Sequence, residues 1–250
     1  MTLAVARVPV PAVRRVPAAT FSMGAPDEGD KFAGAPEQPR HAVRLRAFTL
    51  GVTPVTFEEW DAYAAETGAR RPRDFGWGRG RNPVIDVTWD DATGYVGWLA
   101  GRTGNPFRLP SEAEWERCCR GNETTAFGTG DRLSVEQANY LYTDVRDRPG
   151  LGRPVPVGSY PPNALGLYDM HGNVCQLVAD VWHDSYAGAP CDGSAWARPA
   201  DSPRRVVRGG GWDAMPRILR CAYRDWVHRS SRFDNVGYRV ACDLAGDLAV

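Results

Sequence analysis

The side chains in this 250-residue sequence with the means to do chemistry begin with six cysteines and four histidines. Cys118, Cys119, Cys175, Cys191, Cys221 and Cys242 contain no CxxC pair, so neither a zinc ribbon nor a thioredoxin-like motif is written in their spacing. Free thiols are the expectation where no export signal is seen, and Cys118, Cys119 and Cys175 read as small buried hydrophobes. A pairing of distant cysteines stays open. His41, His171, His183 and His228 show no ligand spacing and read as surface or loop residues. Glu112, Glu114 and Glu116 alternate at a helix start, which suits a cap and a solvated face better than an acid–base pair. Gly209–Gly211 lacks the spacing of a phosphate cradle; a close backbone approach beside Trp212 explains it.

The densest mixture of functional side chains follows Trp212. Tyr, Trp, Arg, Ser and Asp alternate there as they do on recognition surfaces. Asp213, Ala214, Arg217, Tyr223, Asp225, Trp226, His228, Ser230, Ser231, Phe233 and Asp234 are the candidate ligand-binding residues. Arg220, Arg224 and Arg239 read as structural, pairing with acids such as Asp169 or Asp180.

Elements must hold these residues in place. Residues 42–50 alternate as one strand with Val43, Leu45, Ala47 and Thr49 on one face. The Pro-, Gly- and acid-rich stretch before it reads as a loop. Three capping boxes follow, Thr56 with Glu59, Thr88 with Asp91 and Ser111 with Glu114, each opening a helix. Gly68, Gly101 and Gly121 are the expected stops. From residue 128 short apolar runs are separated by Gly, Pro, Asn and Asp, with strands expected in 154–157, 167–170, 174–178, 205–208, 218–224 and 237–241. Helices first and irregular β structure later predict an α+β domain, and long loops in a compact domain call for a ligand or a function.

Formal net charge is zero with both signs interspersed, which argues against nucleic acid or an anionic membrane held by bulk charge. No apolar run is long enough to span a bilayer. Arg7, Arg14, Arg15 and three prolines interrupt any signal-like stretch, so the expectation is a cytoplasmic protein without membrane insertion.

Seven phrases occur in order: VPAATFSMG (16–24), VTPVT (52–56), NPVIDVTW (82–89), RLPSEAEWE (108–116), GLYDMHGNV (166–174), RGGGW (208–212) and NVGYR (235–239). Together they resemble the formylglycine-generating enzyme, or sulfatase-modifying factor, family over residues 16–243. Residues 1–15 and 244–250 are read as an extension and a tail. The resemblance implies an elaborated C-type-lectin-like fold with little regular secondary structure and bound calcium. One calcium loop would fall on Asn139, Tyr140 and Leu151, with an aspartate position that lands on Pro149, two residues from Asp147. A second would fall on Gly172, Asn173, Val174 and Gln176, where the family carries a glutamate in place of Gln176. Calcium takes oxygen ligands, and the lost charge weakens the second loop.

The family's enzymes oxidise a substrate cysteine with oxygen through two cysteines that bind copper(I), shortly after the RGG segment. Here Ala214 stands at the first position and the stretch holding the second is shortened. Met215 and Cys221 remain, the latter a lone thiol in a strand, and both read as core. Soft thiolates suit copper(I), so no copper is expected. The resemblance then leaves a non-catalytic module binding a protein or peptide through residues near 213–234, in the manner of the diversified variable proteins of diversity-generating retroelements. The alternative is an oxygen-dependent oxidoreductase of the sulfatase-modifying type with altered metal ligation.

Overall fold

The computed structural model describes residues 9–26, 30–141 and 150–243. All three capping boxes form. Thr56, Thr88 and Ser111 each accept from the amide three residues on, and the carboxylate there reaches back to the cap amide. They open α1 (Phe57–Thr67), α2 (Trp89–Thr103) and α3 (Glu112–Arg120), each cap contributing about 1 kcal/mol. α1 stops at Gly68 and α2 at Gly104, both in the left-handed region. Gly101, the expected stop of α2, is inside the helix. The turn is closed only where Gly104, at φ 72°, gives its amide to the Ala100 carbonyl.

The stretch 42–50 is two strands, not one. β3 (His41–Leu45) pairs antiparallel with β2 (Ala19–Met23). The chain then breaks at Arg46–Ala47, and β4 (Phe48–Gly51) joins a different sheet. That sheet runs in the order β1 (Val13–Val16), β4, β10 (Ala241–Cys242), β5 (Phe107–Arg108), all antiparallel. β1 thus begins three residues before the expected start of the domain. The third sheet runs β8 (Arg224–His228), β7 (Arg204–Arg208), β6 (Cys175–Val181), β9 (Val236–Tyr238). β6 and β9 are parallel, the other pairs antiparallel, and β8 lies at the edge. Residues 154–157 and 167–170, expected as strands, are irregular. Residues 216–218 form a short 3-10 turn ahead of β8 rather than part of a strand.

Two apolar clusters make the core. One joins α1 and α2 through Trp60, Tyr95 and Leu99 to Leu177 and Tyr238. The other packs Trp115, Cys118 and Cys119 of α3 against Val43, Val178 and Val206. α3 therefore lies across the third sheet and carries the connection to its edge strand.

Candidate functional site

The floor beneath the edge strand is a buried ionic frame. Glu112, Glu114 and Glu116 are all buried, so the expected solvated face of α3 does not exist. Glu114 closes the cap and takes both ends of the Arg108 guanidinium at 2.7 Å. Glu112 takes a two-pronged contact from Arg224 at 2.8 Å, and Glu116 is bound by Arg120 and Arg208. Burial alone would raise the Glu116 carboxyl, but Arg120 and Arg208 beside it hold it below the usual range. Arg208 also donates to the carbonyls of Cys221, Ala222 and Tyr223 and so fixes the approach to β8. Arg220, Arg224 and Arg239 are structural as expected, with other partners. Arg220 pairs with Glu37 and Asp30, Arg224 with Glu112, and Arg239 donates to Gln176 and to backbone carbonyls. Asp180 instead accepts the amides of Glu112 and Trp196; burial, then the neighbouring Glu112, push it up to about 7.

Above this frame opens a cleft of about 270 Å³ between Gly209–Gly211, the start of β8 and the segment 233–236. Gly209 sits at φ 90°, and a Cβ there would lie 2.9 Å from the Trp115 ring. The first glycine of the three thus serves a close approach to Trp115, and Gly211 one to Asp213 and Asn235. Of the expected ligand-binding residues, Asp213, Ala214, Tyr223, Asp225, Trp226 and Phe233 line this cleft. Arg217 lines a separate groove of about 940 Å³ on the far side of the 216–218 turn, with Phe32, Phe127 and Leu133. His228 and Ser230 bond to each other at 2.8 Å in an exposed turn, Ser231 gives its amide to the His228 carbonyl, and Asp234 accepts the Trp212 indole through its own carbonyl. These four do not line the cleft.

The cleft is acidic and aromatic. Asp213 takes both its bonds from the Asn235 amide, at 2.9 and 3.0 Å. Asp225 accepts the Trp226 amide at 2.7 Å and the Tyr223 hydroxyl at 3.3 Å. Neither carboxylate forms an ion pair among the described residues, and every donor to them is neutral. Burial, with Asp225 next to it, pushes the Tyr223 phenol up to about 12. Trp226 and Phe233 are each 42% exposed, and Arg208, the guanidinium in the wall, is already spent on Glu116 and carbonyls. Two wall residues, Cys175 and Asn235, escaped the sequence reading. Asn235 opens the NVGYR phrase, but only folding brings it to Asp213, 22 residues away.

The copper question reduces to the sulfur atoms. Ala214 is buried against Leu219 and Tyr140 and gives the wall a methyl. Met215, expected in the core, is 36% exposed. Among the described residues Cys175 is the one thiol lining the cleft; it donates to the Arg208 carbonyl, and burial pushes it up to about 12. One protonated thiol does not fit a copper(I) bis-thiolate. Cys221, expected as a lone thiol in a strand, is in the turn before β8 and is not alone. Its sulfur lies 3.3 Å from that of Cys119 on α3, with His171 completing a buried cluster. Burial works against the Cys221 thiolate, yet the hydrogen bond from Cys119, with the His171 ring beside it, holds its pKa low, while burial and the Cys221 contact push Cys119 up.

The two calcium loops differ. In the first, the Asn139 side-chain oxygen is buried and has no hydrogen-bond partner among the described residues, an oxygen set as a cation ligand would be. Leu151 is exposed at the rim, and Asp147 and Pro149 lie outside the described residues. In the second, the Gln176 oxygen already accepts the Trp115 indole at 2.8 Å and the Arg239 guanidinium at 2.6 Å. The Asn173 carbonyl accepts the Trp212 amide, its side-chain oxygen accepts from Val155, and the Gly172 amide binds the Gly209 carbonyl. The Gln176 and Asn173 oxygens thus face donors, one of them cationic, and do not fit as ligands of a calcium ion.

Similarity to known proteins follows the same outline. The family model described as "Sulfatase-modifying factor enzyme 1-like domain" matches residues 3–244. A protein named serine/threonine-protein kinase pkn1, from Chlamydia caviae, is 31% identical over 85% of this chain, which spans only 36% of that relative's length. The solved structure of PvdO from Pseudomonas aeruginosa is 35% identical, covers 94% of this chain and 95% of its own, and superposes with a TM-score of 0.85. Treponema denticola variable protein 1 shares the fold at 23% identity, with a TM-score of 0.75 over 93% of this chain and 95% of its own. No helix among the described residues is long and apolar enough to cross a membrane.

Proposed function

The chain belongs to the family of sulfatase-modifying factor enzyme 1-like domains, and we propose that it uses this scaffold to bind a positively charged peptide segment of a protein partner rather than to oxidise one. The observation that carries the reading is the pair of carboxylates, Asp213 and Asp225, held only by neutral donors beside Trp226, Phe233 and Tyr223. A carboxylate without a cation has unspent charge, and an aromatic face beside it adds cation–π attraction for a lysine or arginine of the ligand. Trp226 and Phe233 supply rigid apolar area at little entropic cost. β8 presents Trp226 from the edge of its sheet and the loop after it carries Phe233, while Arg208 and Arg224 hold the strand from below.

The rival, an oxygen-dependent oxidoreductase, needs soft ligands at the cleft, and Cys175 offers one protonated thiol. Incubation with copper(I), oxygen and a cysteine-containing arginine peptide separates the two readings. Mass spectrometry is expected to find the peptide retained on the protein and chemically unchanged. Loss of the peptide's thiol to an aldehyde would reverse the assignment.

Calcium belongs to the first loop in this reading. The Asn139 side-chain oxygen, with the backbone of Tyr140 and Leu151, would hold it. The Leu141 amide already bonds the Ala214 carbonyl, which ties that loop to the cleft wall. Calcium is expected to raise the thermal midpoint of the wild type, and Asn139→Ala to abolish that rise.

A further inference from the structure

Arg40 and Arg117 form no ion pair among the described residues, yet both line one cavity of about 410 Å³ between β2 and the end of α3. This cavity shares no lining residue with the cleft. Arg117 lies in the last turn of α3 and is only 9% exposed. Its Nη1 donates to the Gly121 carbonyl; Nε and Nη2 have no partner among the described residues. Arg40 leads into β3, and its Nε is buried without a hydrogen-bond partner among the described residues. Its main chain is pinned. The Arg40 amide donates to the Gln38 side chain at 3.2 Å, and a Cβ on Gly24 would lie 3.4 Å from the Arg40 Cα. Arg120 is a third guanidinium in the lining, held in the wall by Glu116 and by the Gly24 and Thr125 carbonyls. Thr20 and Ser22 come from β2, whose alternation puts both on its exposed side. Glu123 is the one carboxylate in this lining, and it is exposed. A helix cap explains the Nη1 bond of Arg117, since a cation suits a helix C-terminus. It does not explain a second guanidinium with an orphaned nitrogen at the same cavity. Unpaired charge and unmet donors are costly to bury, and an anion between the two arginines would answer both.

We propose that this cavity is a second binding site, which takes a tetrahedral oxyanion of the phosphate class between Arg40 and Arg117. A guanidinium is a planar fork that matches two oxygens of a phosphate at once. Two such forks from different elements address different oxygen pairs, which a tetrahedral anion offers and a carboxylate does not. The hydroxyls of Thr20 and Ser22 can donate to what is left. Arg120 adds positive field without giving up its bonds to Glu116. The volume leaves room for a small group esterified to the phosphate. The site is thus the counterpart in sign of the cleft: there carboxylates lack cations, here guanidiniums lack an anion.

The test is calorimetric titration of the full chain with inorganic phosphate, repeated in sulfate and in chloride at matched ionic strength, and then with glycerol phosphate. Phosphate is expected to bind at a single site, with sulfate displacing it and chloride failing to. Tighter binding of glycerol phosphate than of inorganic phosphate would assign the site to a phosphorylated small molecule; the reverse order would assign it to the free ion. Arg40→Gln and Arg117→Met should each weaken phosphate at least about tenfold, the usual effect of losing a charge-assisted hydrogen bond. Arg229→Ala removes an exposed arginine paired with Asp90 and should leave phosphate binding unchanged, which separates a built site from general positive charge. If Arg117→Met does not fold, Arg40→Gln decides, since Arg40 lies outside the helix. The proposal is overturned if phosphate gives no saturable heat, if chloride displaces it as well as sulfate does, or if Arg40→Gln binds phosphate like the wild type.

Discussion

Two groups of carboxylates, one under the edge strand and its neighbours and one beside the cleft, have opposite fates. Glu112, Glu114 and Glu116 on α3 are buried and each meets a guanidinium. Asp213 and Asp225 border the cleft and meet only neutral donors. The first group spends its charge inside the molecule and fixes where β8 lies. The second keeps its charge for something outside. In a chain of zero net charge, function is located by which charges are left unspent rather than by their number.

The sharpest way to break the comparison is to strip the frame. Arg208→Ala removes the partner of Glu116 and the donors to three carbonyls, and is expected to destabilise by about 3–5 kcal/mol, the usual cost of orphaning a buried charge. An unfolding free energy from urea titration within about 1 kcal/mol of wild type would show the frame to be dispensable. Asp180 comes next. Its carboxyl is raised from 3.8 to about 7 in the folded protein. A raised acid stabilises fully below its unfolded value, and that contribution is lost as pH climbs through the folded one. The loss is on the order of 3–4 kcal/mol between pH 4 and pH 7. Asp180→Asn should therefore flatten the decline of the urea midpoint over that window relative to wild type; parallel profiles would refute the assignment.

The cleft should answer differently. Trp226→Ala with Phe233→Ala removes exposed side chains, so stability is expected to move by no more than about 0.5–1 kcal/mol while affinity for an arginine peptide falls at least about tenfold. A large drop in thermal midpoint would mean that these rings are structural. The smallest effect is expected at the exposed pair of Arg229 and Asp90, where Arg229→Ala should cost under about 1 kcal/mol in the same denaturation assay.

Much of this was legible in the chain. The three caps wrote the helices because hydroxyl and carboxylate sit three residues apart, a local spacing that no tertiary contact overrides. The phrases of the scaffold carried the fold class. The break of 42–50 into two strands was hidden, because alternation continues through Arg46–Ala47 while the partners change from one sheet to another. The buried glutamates were hidden for a related reason: Glu112 and Glu116 look solvated until Arg208 and Arg224, about a hundred residues later, come to lie on them. Six of the expected ligand residues converge on one cleft because they flank a single edge strand and its entry. His228, Ser230, Ser231 and Asp234 turn away because the turn after β8 closes on itself. Cys119 reads as a small buried hydrophobe and Cys221 as a lone thiol in a strand, since nothing local marks a contact across 102 positions.

The central claim is that the cleft's unspent charge selects its ligand, and a titration tests it most directly. A labelled arginine-bearing peptide and its glutamate counterpart would be added to wild type and to the Asp213→Asn/Asp225→Asn double variant, each at low and high salt. Tight binding of the arginine peptide alone is expected, weakened by salt, with the double variant losing at least about tenfold in affinity and most of its salt dependence. Equal affinity for both peptides, or an unchanged Kd in the double variant, would contradict the account.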